Sequence, residues 1–160
     1  MAGSCGTCTM CCRLLAIKEL KKPGGKWCEH CNIGVGCKVY EQRPDSCRAF
    51  ACIWLQSQDR QGNERMPLEL RPDKSKVVMA MSMDNENVAV YCDPGHHTAW
   101  QYGPIGNVLA QFAKQIKVVV NNGKGHFYQI MSNSRAKEVI MSAPDENGAQ
   151  WFERYKFPTP

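Results

Sequence analysis

The chain is predicted to be an α+β protein built from two unlike parts, on three observations. Nine of its ten cysteines fall between Cys5 and Cys52. The apolar, β-branched runs lie mostly after Lys76. Between two of those runs sits Asn121-Asn122-Gly123, strong hairpin chemistry. The expected architecture is a cysteine-rich N-terminal module (1–58) carrying two short helices. It packs on a small C-terminal strand–strand–helix–hairpin unit (76–160), with residues 59–75 as a linker or long loop.

The elements follow in order. Cys5-Gly-Thr-Cys-Thr-Met-Cys-Cys12 opens the module, and Leu14, Leu15, Ile17 and Leu20 continue it in a helical pattern. Pro23-Gly24-Gly25 closes that pattern. Trp27-Cys28-Glu29-His30-Cys31 and a glycine-punctuated loop through Gly34, Gly36 and Cys37 come next. Pro44 is a good first residue for a second helix, expected from Asp45 to about Gln56. Residues 57–75 are polar and hold Pro67 and Pro72. Strands are expected at Val77 to Met83 and Asn87 to Tyr91, and a turn at Asp93-Pro94-Gly95. A helix is expected over Ala99 to Gln115, with Ile105, Val108, Leu109, Phe112 and Ile116 on one face. The hairpin pairs Lys117 to Val120 with His126 to Met131. Residues 135–141 form a last short element, and the tail from Trp151 to Pro160 reads as irregular.

A segment as small and polar as the first sixty residues builds little core alone and needs disulfides or a metal. No basic start and apolar stretch of a signal peptide precedes Cys5, and no run of about twenty apolar residues is present. A cytoplasmic, reducing setting with no membrane partner is therefore expected, and there clustered cysteines bind metal. The adjacent pair Cys11-Cys12 argues the same way, because neighbouring cysteines do not pair easily.

Cys-x-x-Cys occurs three times, as Cys5/Cys8, Cys8/Cys11 and Cys28/Cys31. A turn at this spacing points both sulfurs at one ion. Thiolates are soft ligands that select zinc, copper(I) or iron–sulfur clusters over magnesium and calcium. With a helix starting near Cys8, residues Cys8, Cys11 and Cys12 share a face. Cys47 and Cys52 lie about 140° apart on a regular helix, so both reach one site only across a helix end or bend. Cys47 is then the ligand, and Cys52 is a ligand or a core residue. The candidate metal ligands are Cys5, Cys8, Cys11, Cys12, Cys28, Cys31, Cys37, Cys47 and Cys52.

The pattern Cys5-x-x-Cys8-x-x-Cys11-Cys12, Cys28-x-x-Cys31, and Gly36-Cys37-x-x-Tyr40-x-x-Arg43-Pro44-x-x-Cys47-Arg48-x-Phe50-x-Cys52-x-Trp54 resembles the bacterial YkgJ-like cysteine-cluster proteins. The resemblance covers residues 5–54. It implies a zinc- or iron-chelating or iron–sulfur protein and carries a ligand class rather than a reaction. A related cluster occurs in flagellin lysine methylases, but the chain has no glycine-rich dinucleotide-type motif, so methylation is not carried over.

An iron–sulfur cluster is the preferred occupant, because Cys5/Cys8/Cys11 have the spacing of a ferredoxin's first three ligands. The fourth ferredoxin Cys-Pro is absent. Zinc is the alternative, since nine cysteines suffice for two four-sulfur sites and one spare.

The remaining candidates read as supporting residues. Arg43 and Arg48 flank Cys47 and are expected to hydrogen-bond thiolates or backbone carbonyls. Trp27, Tyr40, Phe50 and Trp54 are expected to wall the site from water. His30 reads as a turn residue, His96 and His97 as loop residues, and His126 as a strand residue. Met79, Met81 and Met83 read as one core face.

The net charge is +5, and residues 1–60 hold nine Lys/Arg against five Asp/Glu. This excess compensates the negative charge of a thiolate site, although a nucleic-acid footprint is the other reading. No paired carboxylates, nucleophile–base pattern or phosphate loop is present, which argues against an enzyme. The expected function is metal binding with a structural, redox or metal-handling role and a possible redox or protein partner. The alternative is a zinc-stapled interaction module for RNA or protein.

Overall fold

The computed structural model describes residues 5–82, 85–146, 150 and the backbone of 152–155. Helix and strand are mixed, as expected for an α+β chain. The helices are α1 (Met10–Leu14), α2 (Asp45–Ala49), α3 (Ile53–Ser57), α4 (Pro72–Ser75) and α5 (Gly103–Ala113). A two-stranded ladder joins β1 (Cys31–Asn32) to β2 (Gly36–Cys37). The main sheet runs in sequence order through β3 (Val77–Met81), β4 (Asn87–Cys92), β5 (Lys117–Asn121), β6 (Phe127–Ile130), β7 (Ala136–Met141) and β8 (Phe152–Tyr155).

All neighbouring strands of the main sheet are antiparallel except β4 and β5, which are parallel. Parallel strands need a crossover connection. Here the chain from Asp93 to Ile116 supplies it, with α5 packed against β5 and β6. Val88, Val90 and Cys92 on β4 and Val118 and Val120 on β5 alternate inward. Strand β3 lies at one end of the sheet, yet Val77 to Ala80 are all buried, because α1, α3 and α4 pack on it. One core cluster therefore takes in Met10, Leu14, Trp54 and Leu55 together with Val77, Leu109 and Val118. The segment 59–75 contributes to it through Leu70, which is 3% exposed.

The hairpin between β5 and β6 turns as expected. Asn121 Oδ1 accepts from Gly123 N–H, and Asn122 Oδ1 accepts from Lys124 and His126 N–H. Gly123 has φ +78°, and a Cβ there would lie 2.8 Å from the Cys92 carbonyl oxygen.

Three expectations are corrected. The first helix ends at Leu14 rather than reaching Leu20. Leu15 is extended, and Ile17 and Lys22 exchange backbone hydrogen bonds around a 3-10 turn. The Lys22 ammonium takes the Arg13 and Leu15 carbonyls that a longer helix would have used. The second helix breaks at Phe50, where the backbone is extended, and restarts at Ile53. Residues Phe50 to Leu55 all pack on the core, which an unbroken helix cannot arrange for six consecutive side chains. Residues 152–155 are not irregular but form β8, because the free edge of β7 offers them a template. The expected position of Met83, and of Trp151 and 156–160, lies outside the described residues. Among the described residues no helix is long and apolar enough to cross a membrane.

Candidate metal centre

Cys8 N–H bonds the Cys5 carbonyl at 2.9 Å, closing the first Cys-x-x-Cys turn before α1 begins. Cys31 N–H bonds the Cys28 carbonyl at 3.0 Å, closing the second at the start of β1. Cys28 N–H bonds the Cys12 carbonyl at 3.0 Å, so the two motifs are stitched together by their backbones. Cys37 lies directly opposite Cys31 across the β1–β2 ladder, on the same side of it.

The side chains sort into two neighbourhoods. In the first, the Cys12 thiol lies within electrostatic reach of those of Cys11 and Cys31. Cys12 and Cys47 pack against Cys28 and Cys31 in a small cluster with Ile17, separate from the main core. Cys28 and Cys31 are 9% and 8% exposed. In the second neighbourhood, Cys5 faces Cys52 and Cys8. Cys52 is buried at the start of α3, where its Sγ accepts from Leu55 N–H at 3.4 Å. Burial raises the Cys8 thiol, and the Met10 and Asp73 backbones oppose the rise. The two neighbourhoods adjoin, since Cys5 also feels Cys12.

This differs from the expected single face of Cys8, Cys11 and Cys12. Helix α1 starts at Met10, so Cys8 precedes it and lies toward Cys5 and Cys52, while Cys12 lies toward Cys31. The break at Phe50 likewise sends Cys47 to the first neighbourhood and Cys52 to the second.

All ten cysteines are free thiols. Burial, with neighbouring Cys12 and Cys28 thiols, pushes Cys31 up to about 11. Hydrogen bonding to Cys11, then burial, raises Cys12 further. Cys47 and Cys52 are raised chiefly by burial. Crowding by protein atoms, then the facing Cys52 and Cys8, holds Cys5 at about 11 although the residue itself is exposed. Burial disfavours the charged thiolate, and neighbouring thiols that ionise to the same sign add to the rise.

Among the described residues no three Cys, His, Asp or Glu side chains converge as they stand on a point that could hold a metal ion. The donor set nonetheless fits a soft metal: it is almost wholly sulfur, and cationic side chains adjoin it. Lys22 stands near Cys28, Cys12, Cys11 and Cys47, with burial lowering its pKa and those sulfurs opposing the fall. Arg43 faces Cys5, and Arg71 faces Cys8.

Of the supporting residues, Arg43 stacks on Tyr40 with its guanidinium carbon 3.9 Å from the ring centre. Arg48 donates to the Arg43 and Glu41 carbonyls and so braces the loop before α2, one of the two roles expected of it. Trp27 packs beside the first neighbourhood and under the Arg13 guanidinium. Tyr40 is 53% exposed, so it does not wall the site from water. Trp54 packs in the main core and bonds the Pro67 carbonyl. His30 pairs with Glu29, His96 with Asp93 and His126 with Glu138.

Sequence reasoning passed over Lys22, Thr9 and Ser46. Thr9 is 5% exposed, lies near Cys31, and accepts from Gly34 N–H, which ties the β1–β2 turn to α1. Ser46 adjoins Cys47 and donates to the Glu19 carboxylate from both its N–H and its hydroxyl. Each is a common surface-type residue with no spacing signal, visible only once the chain is folded.

Comparison with family models, with curated proteins and with solved structures gave no match. The functional reading therefore stands on this chain's own residues.

Proposed function

We propose that this is a metal-binding protein holding an iron–sulfur cluster or zinc through its clustered cysteine thiolates, with a structural, redox or metal-handling role. The observation that carries the reading is the cluster of Cys12, Cys28, Cys31 and Cys47. Residues spread over 36 positions of the chain share one small group apart from the main core. Four sulfurs suffice for a closed zinc site or for a cluster. The resemblance of residues 5–54 to YkgJ-like proteins points to the same ligand class.

Cys12, Cys28, Cys31 and Cys47 would hold the metal, with Cys11 and Cys37 at the margin. Bound there, it would supply the cross-link that the short surrounding elements lack or, as a cluster, a site for one electron. This chain's own residues supply the rest. Lys22 offsets the negative charge of the sulfurs, while Thr9 and Ser46 orient Cys31 and Cys47. Because thiolates are the binding form and Cys12, Cys31 and Cys47 are raised, binding must release protons and weaken as the pH falls.

Metal analysis of the full chain after anaerobic purification tests the reading. A brown protein with a broad visible absorption is the expected result for a cluster, and a colourless protein with stoichiometric zinc for the alternative. A protein whose metal content and folding survive alanine at Cys12 and Cys28 would defeat both.

A further inference from the structure

The β1–β2 ladder sets two cysteines face to face. Cys31 is the register partner of Cys37, and Asn32 is the partner of Gly36. Just outside the ladder, Lys38 N–H bonds the His30 carbonyl at 2.8 Å. Cys31 N–H is spent on the Cys28 carbonyl. Cys31 and Cys37 are therefore a non-hydrogen-bonded antiparallel pair, the kind whose Cα atoms stand about 4.5 Å apart and whose side chains lie closest. That separation falls within the roughly 4.4–6.8 Å that a disulfide spans. The two thiols differ in access. Cys37 is half-buried and follows the exposed turn of Ile33 and Val35, whereas Cys31 is buried among Cys12, Cys28 and Cys47.

We propose that Cys31 and Cys37 are a redox-active pair that closes into a cross-strand disulfide on meeting a low-molecular-weight disulfide. The more accessible Cys37 sulfur attacks one sulfur of the incoming molecule. Its S–S bond breaks, and the first small thiol leaves with the Cys37 proton. The Cys31 sulfur then attacks Cys37 in the mixed disulfide. The Cys31–Cys37 bond forms, and the second small thiol leaves with the Cys31 proton. The two cysteines are oxidised and the small disulfide is reduced to two thiols; excess small thiol runs the same steps backwards. One consequence rests on the metal-binding reading above. The new bond takes Cys31 out of the four-sulfur group, so closing it releases the metal.

The test treats the reduced, metal-free full chain with oxidised glutathione and maps the products by mass spectrometry. Free thiols should fall by two from ten, with Cys31 linked to Cys37, and excess reduced glutathione should restore them. Cys37→Ser should leave Cys31 reduced. Cys31 joined instead to Cys28 or Cys47, or Cys37 left as a mixed disulfide with glutathione, would overturn the pairing. The same treatment of the zinc-loaded chain should strip zinc from wild type and not from Cys37→Ser. A linked chain that keeps its zinc would overturn the coupling to metal. A chain that links Cys31 to Cys37 but never takes up zinc or a cluster would defeat the metal-binding reading and uphold the redox pair.

Discussion

Residues 5–58 and the sheet from β3 to β8 keep their shapes by different means. In the first region no helix exceeds five residues, and the only ladder pairs two residues with two. Isolated helices of that length do not persist in water. In the second, six strands share continuous ladders, and the valines at 77, 118 and 120 are fully buried. Met10 and Leu14 fasten the first region to the second, and Arg13 bonds the buried Asp93 at 3.2 Å. What this teaches is a division of labour. Apolar burial stabilises the sheet, and the sheet is then the platform on which the thiols are gathered.

The sharpest way to break the comparison is to strip or withhold the proposed metal. Chelation under reducing conditions should cost the N-terminal region most of its order, since structural zinc contributes on the order of 10 kcal/mol to small domains. Hydrogen exchange should lose protection over residues 8–49 and keep it in β4, β5 and β6. Equal loss in both regions would show that they do not differ in this way.

Leu109→Ala probes the other side. This side chain of α5 is fully buried against the sheet, and its truncation should cost about 2–5 kcal/mol in denaturant unfolding. Metal bound per folded chain should not change.

The tie between the regions is smaller. Arg13→Ala leaves the Asp93 carboxylate, 5% exposed, with only the Gly95 N–H and His96 as partners. A loss of about 1–3 kcal/mol is expected, with faster exchange in α1 than in β4.

The effect that vanishes at neutral pH concerns alkaline conditions. Burial pushes the Cys92 thiol up to about 12 from an ordinary 9.0. Between those values the unfolded chain loses this proton and the folded chain keeps it. Its contribution is therefore constant below pH 9 and falls by up to about 1.4 kcal/mol per pH unit as the pH rises toward 12. Cys92→Ala should flatten that part of the stability profile, read from thermal melts across the range.

Local chemistry made much of the C-terminal half legible. The Asn-Gly turn, the alternating valines of β4 and β5, and the 3–4 spacing of Ile105, Leu109 and Phe112 each carry their own period. The N-terminal helices were legible only at their starts. Leu15 and Leu20 continue an apolar pattern, and nothing adjacent announces that Lys22 will reach back to the Arg13 and Leu15 carbonyls. Nor does the run from Phe50 to Leu55 say that all six side chains will be needed in the core. The parallel pairing of β4 with β5 and the docking of β8 on β7 are contacts between distant segments, which no local period encodes.

By itself the sequence determined the strands β3 to β6 with the helix α5 among them, the hairpin between β5 and β6, and the sulfur-rich character of the first third. Composition and short-range spacing are properties of neighbours along the chain, and they survive without a fold. Only the tertiary structure decided which cysteines meet. Cys8 and Cys11 are three residues apart, yet they turn to different neighbours because α1 begins between them. Cys12 and Cys47 come together because the helices that carry them are short and stop where the core requires it. Distance through space follows from how every segment packs, and that sum cannot be read from any one of them.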